Sequence, residues 1–174
     1  MVLSSSTWST TFPDLLRRLN ALRFDYDEGF DFEPYQEFLS AEDTAAWFKA
    51  WTGNAEVDGS QFRVFGQDGT GGYAALWLVR PGEPLENQPV VFLGSEGEKG
   101  VVALGLDAYL WLLAAGRGPY EAIAYDGGEG TPHAQFTAFA RENSKVAELP
   151  VSEVLARARA AYPDFAQRID ALCR

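Results

Sequence analysis

Cysteine is all but missing from this 174-residue chain: Cys173, next to the last position, is the only one, so no disulfide can close within it. A reducing compartment is the simplest setting for such a sequence, and a thiol this isolated is read as structural and not as a nucleophile. Histidine is equally scarce, with His133 alone, placed by the spacing in the first turn of a helix. A zinc site needs several His or Cys ligands, and a Ser-His-Asp arrangement cannot be asserted on one imidazole. Long apolar runs are absent too. The longest, such as 108–115, fall well below the ~20 residues that span a bilayer, and the residues from Met1 to Trp8 have neither the charged start nor the apolar stretch of a secretory signal. A soluble, cytoplasmic protein without membrane contact is therefore expected. Basic side chains are outnumbered, 14 Lys and Arg against 25 Asp and Glu, and the net charge of −11 disfavours nucleic acid, whose phosphates are held by Lys and Arg displacing counterions.

The chain is rich in apolar surface. An apolar fraction of 47% and five tryptophans exclude a disordered chain and suit one domain over 1–174, with a helical C-terminal segment from about residue 131. Trp77 and Trp111 are expected in the core. The acid is placed unevenly. Asp25, Asp27, Glu28, Asp31, Glu33, Glu37, Glu42 and Asp43 follow one another with no Lys or Arg between them, whereas Arg157, Arg159, Arg168 and Arg174 mark the other end. Such asymmetry steers a basic partner to the acidic side; a solubilising surface is the plainer alternative.

Along the chain, Thr11-Phe12-Pro13-Asp14 has capping-box spacing and predicts a helix from about residue 12 to about residue 23. The aromatic and acidic stretch that follows, with Phe24, Tyr26, Phe30, Phe32 and Tyr35, reads as extended and clamped to the body by its rings. Ser40 caps a second helix that carries Thr44, Trp47, Phe48 and Trp51 on one face and stops at Gly53. From Gln61 the period changes to two, and strands are predicted at Phe62, at 73–80, at 90–93 and at 101–104. Their connections are short, so antiparallel neighbours are expected. Leu106, Tyr109, Leu110 and Leu113 predict a helix ending at Gly116, Thr131-Pro132 starts another through Phe136, and helices around Val154 and Phe165 close the chain. This order predicts an α+β fold, a mainly antiparallel or mixed β-sheet flanked by α-helices.

Candidate chemistry is sparse. The glycines from Gly66 to Gly72 carry no Lys and fit no phosphate-binding motif, so positive φ in a tight turn accounts for them. Asp25-Tyr26-Asp27 begins like a calcium loop, but Phe30 and Gln36 stand where glycine and the bidentate acid belong. Asp68 lacks further ligands. Glu96 reads as a turn residue with its carboxylate on backbone amides, although Glu96 or Glu98 could belong to a convergent pair of catalytic carboxylates. No metal or cofactor is expected.

The segments 32–39, 47–53, 65–77, 89–97 and 106–116 together resemble the SUKH superfamily, the bacterial immunity proteins related to fungal cell-wall-synthesis regulators. The resemblance runs over about residues 24 to 125, and Phe32-Glu33-Pro34-Tyr35 matches part of the family's usual opening. It implies an α+β fold with a mixed sheet and a cytoplasmic, non-enzymatic role: neutralising a cognate toxin domain, often a nuclease, by protein contact. On this reading Asp25, Asp27, Glu28, Asp31, Glu33, Glu96 and Glu98 face a basic partner, with Trp47 and Trp51 as apolar anchors. The alternatives are a regulatory scaffold for an endogenous protein and a hydrolase built on two facing carboxylates about 5 to 10 Å apart.

Overall fold

Short connections do produce antiparallel neighbours. A computed structural model describes residues 10–125 and 128–174; the N-terminal residues read above for a secretory signal, Trp8 among them, lie outside those described. Strands β1 (Glu33–Pro34), β2 (Phe62–Gln67), β3 (Tyr73–Trp77), β4 (Val90–Leu93) and β5 (Lys99–Ala103) form one sheet in chain order. Every pairing in it is antiparallel. The helices are α1 (Asp14–Asn20), α2 (Ala41–Thr52), α3 (Leu106–Ala114), α4 (Pro119–Ala124), α5 (Ala134–Asn143), α6 (Val151–Ala161) and α7 (Phe165–Asp170). The fold is α+β. Among the described residues no helix is long and apolar enough to cross a membrane.

Side-chain alternation sorts the sheet into two cores, one on each face. Ala74, Leu76 and Phe92 face α1, α3 and α5, while Ala75, Trp77 and Leu93 face α2 and α7. Because both faces are covered, β3 and β4 are apolar throughout, as a central strand must be. α6 straps the β5 side, with Val154 and Leu155 in the first core and Ala158 in the second. α3 is buried almost all round, at seven of its nine positions, because α5 and α6 cover the sides that the sheet leaves open. Trp77 and Trp111 are 6% and 5% exposed, in the core as expected.

β2 carries an irregularity between Val64 and Gly66. Strand alternation places Val64 in the second core and Phe65 in the first. A Cβ at Gly66 would collide with the Phe32 ring and lie 2.9 Å from the Glu33 carbonyl. This glycine therefore serves close approach, not turn geometry. Among the glycines from Gly66 to Gly72, positive φ is confined to Gly71, at 93°.

Local signals were accurate where a cap was explicit. Ser40 Oγ accepts from the Asp43 amide at 3.0 Å, and Gly53 closes α2 in the left-handed region with φ 66°. Two helix starts differ from expectation. α1 begins after Pro13, which sits at the cap with extended ψ and lacks a side-chain cap bond, so the helix is shorter than 12–23 at both ends. α5 begins at Ala134, and His133 is its N-cap and not a first-turn residue. His133 takes the extended conformation of a cap, its Nδ1 accepts from the Phe136 amide, and its own amide, which no helical carbonyl could serve at this position, donates to the Ala114 carbonyl at 2.9 Å. α4 was not anticipated. Its signal was Pro119 at the first helical position.

Candidate functional site

Two tight turns meet at one end of the sheet. Between β2 and β3, Asp68 Oδ1 accepts from the Thr70 amide (2.9 Å), the Thr70 hydroxyl (2.8 Å) and the Gly72 amide (2.8 Å). A carboxylate that receives its own loop's donors makes the turn self-supporting. Between β4 and β5, the Glu98 carboxylate accepts from the Glu96 amide at 3.1 Å. The expected role of Glu96 thus belongs to Glu98, whose side chain folds back over Gly94, while Glu96 is exposed. The Ser95 hydroxyl donates to Thr70 Oγ1 at 3.0 Å and joins the two turns.

Asp31 ties this end to α4. Its Oδ1 accepts from the Gly69 amide at 2.8 Å, and its own amide donates to Glu121 Oε1 at 3.1 Å. Glu121 is only 4% exposed, and its Oε2 has no hydrogen-bond partner. Burial pushes its carboxyl up to about 7; the Asp31 charge adds to the rise, and the Asp31 amide and Arg117 oppose it. The neighbouring phenol of Tyr109 is fully buried, has no partner either, and is driven well above its ordinary value by burial and then by the Glu121 charge.

A cavity of about 590 Å³ opens here, lined by Glu28, Asp31, Glu121 and Glu129 with Tyr26, Tyr120, Tyr125 and Arg117. Arg117 is its one basic lining residue among those described, and it is already engaged: Nε donates to the Gly128 carbonyl and Nη2 to that of Glu129, both at 2.9 Å, with the guanidinium 4.8 Å from the Tyr125 ring. Glu28 Oε2 lies 2.6 Å from His133 Nε2. His133 Nδ1 accepts from the Phe136 amide at 3.4 Å, so the network assigns the ring proton to Nε2, facing Glu28. Both nitrogens of the sole histidine are thereby committed to structure. Tyr120 feels the same field: burial raises its phenol first, followed by the charges of Tyr125, Glu98, Asp68 and Asp31.

The residues singled out from the sequence divide three ways. Glu28 and Asp31 line the cavity, and Glu98 stands close enough to act on Tyr120. Asp25 instead builds the 3₁₀ turn Tyr26–Glu28, accepting from the Asp27 amide at 3.0 Å and pairing with Arg23 at 2.8 Å; Asp27 is exposed on that turn, and Glu33 accepts from Gln67 at 3.0 Å on the sheet edge. Trp47 and Trp51 are half-buried against the second core, across the sheet. The Trp51 indole donates to the Gly94 carbonyl at 2.7 Å, and Trp47 packs edge-on to Tyr73 at 4.9 Å.

Sequence reasoning missed Arg117, Tyr120, Glu121, Tyr125 and Glu129. The one legible signal was an acid inside the apolar run Pro119-Tyr120-Glu121-Ala122-Ile123-Ala124. Among the described residues no group of three or more His, Cys, Asp or Glu is placed to hold a metal ion. No protein-family model, no curated protein and no solved structure matches the chain.

Proposed function

We propose that this chain is a cytoplasmic, non-enzymatic binding protein that docks a basic protein on the acidic end of its sheet. In the SUKH-type role that the sequence resembles, the partner is a toxin domain, such as a nuclease, covered by contact. The main support is the gathering of Glu28, Asp31, Glu121 and Glu129 around one cavity with Arg117 as the one basic residue lining it among those described. Carboxylates crowded at the end of a chain of net charge −11 focus a negative field outward, which accelerates capture of a cationic face. Immunity by occlusion needs only such a surface.

The test begins with growth rescue: co-expression of this chain with the toxin domain encoded beside it restores growth. Stopped-flow association then reads the charge. Asp27→Lys with Glu129→Lys, both on exposed positions, slows association several-fold at low salt, and the effect shrinks as salt screens it. Failure to rescue, or an association rate indifferent to both changes and to salt, removes the proposal.

One observation favours a second reading. Glu121, pushed up to about 7, shares a cavity with Asp31, and two carboxyls in unlike environments are how glycosidases assign acid and base. On that reading Glu121 protonates a leaving group and Asp31 is the second carboxyl of the pair. Against it, Asp31 Oδ1 and Glu121 Oε1 are already spoken for by backbone amides. Turnover of a glycoside panel that disappears in Glu121→Gln establishes the hydrolase; no turnover eliminates it.

A further inference from the structure

We infer that the cavity beside Glu121 is a receptor for one guanidinium group, an arginine side chain of the basic partner, received by Glu28, Asp31 and Glu129 with the rings of Tyr26 and Tyr125, over the buried carboxyl of Glu121. This rests on the docking of a basic protein proposed above and names the contact at its centre.

Two independent features point to a cation as the missing occupant. Glu121 lines the cavity at 4% exposure with Oε2 unpartnered, and a buried carboxylate oxygen without a donor is costly until one is supplied. Of the three large apolar side chains exposed among the described residues, two, Tyr26 at 76% and Tyr125 at 57%, stand on this same cavity. Exposed rings beside carboxylates form a surface for a flat cation. The site also demonstrates the chemistry on itself, since the Arg117 guanidinium already lies 4.8 Å from the Tyr125 ring.

The head group matters. A guanidinium is planar, weakly hydrated and able to fork across carboxylate oxygens while it stacks on an aromatic face; an ammonium is a strongly hydrated point charge with no face to stack. The volume of about 590 Å³ lies within the ~300–1,000 Å³ of ligand-sized pockets and admits a whole side chain with its flanking backbone. The groups facing Glu121 are Asp31, Arg117 and Tyr109. A second cation added among them favours ionised Glu121, so capture releases a proton and tightens as pH rises from below to above neutrality.

The experiment is an NMR titration of the full chain with N-acetyl-arginine methylamide, with N-acetyl-lysine methylamide as comparator. Expected are saturable shifts that map to Tyr26, Glu28, Tyr125 and Glu129, and arginine binding about tenfold tighter than lysine. Tyr26→Ala and Glu129→Gln alter exposed side chains, leave the fold intact, and each weaken arginine binding about three- to fivefold. Glu121→Gln weakens it further and abolishes its rise with pH. Equal binding of the two probes, shifts that map elsewhere, no saturation, or a pH dependence unchanged in Glu121→Gln overturns the inference. A flat titration alongside salt-dependent partner association sinks the guanidinium receptor alone; a positive titration with no salt-dependent association sinks the docking reading alone.

Discussion

Replacing Glu121 by glutamine should remove a pH dependence from the stability of this protein. The carboxyl stands at about 7 in the folded chain against an ordinary 4.5, mainly because burial disfavours its charge. The folded state therefore holds a proton there that the unfolded chain has already released. Its stabilising effect is complete below about 4.5, declines as pH rises, and is gone above about 7. Moving the titration that far corresponds to about 3 kcal/mol, with a steepest slope of about 1.4 kcal/mol per pH unit. Glutamine keeps the oxygen that accepts from the Asp31 amide but does not titrate, so other ionisations cancel in the difference between wild type and variant. Urea unfolding followed by tryptophan fluorescence at pH 5, 6, 7 and 8 measures it. Relative to Glu121→Gln, wild type loses about 2.5 kcal/mol across the series, equivalent to about 5 to 10 °C in Tm for a chain of this size. Parallel stability curves, or wild type gaining with pH, refute the assignment of a desolvated carboxyl at this position.

Three further substitutions check the architecture. Gly66→Ala places a methyl into the Phe32 ring and 2.9 Å from the Glu33 carbonyl, and a rigid β1–β2 pairing cannot yield, so about 3 kcal/mol is lost in urea unfolding; Gly71→Ala meets no atom within 4 Å and costs only its positive φ, about 1 to 2 kcal/mol. Asp68→Ala deletes the acceptor of three hydrogen bonds and costs about 3 kcal/mol, whereas Asp68→Asn keeps an acceptor and loses less than half of that. Trp51→Phe forfeits the 2.7 Å bond to the Gly94 carbonyl for about 1 kcal/mol, and it leaves the arginine titration unchanged because Trp51 packs in the core across the sheet.

Much of the fold was legible from residues near one another. The Ser40 cap, the Gly53 stop and the Gly116 stop bound their helices through contacts spanning three to five residues, and the short turns between β2 and β3 and between β4 and β5 leave no room for parallel crossovers. Two elements were not legible. β1 has two residues, too few for a period to emerge, and α4, no shorter than α7, offers only Pro119 as a start; both exist because the sheet edge and the first core are there to receive them. α5 starts late because His133 takes the extended conformation of an N-cap and turns its ring back to the Phe136 amide.

The site divides along the same line. Excess acid and its concentration between Asp25 and Asp43 belong to the sequence and can be counted there. Which of those carboxylates build turns and which face a cavity cannot. Asp25 and Asp31 look alike in the chain, yet one accepts from an amide two residues away and the other bridges to Gly69 and Glu121. Glu121 reaches this place from 90 positions further along. Its loss of water, and with it the displaced titration, is decided by helices and turns that close around it only in the folded molecule. Capping and periodicity act over a turn or two of chain; desolvation is a property of everything packed nearby, and no stretch of sequence contains it.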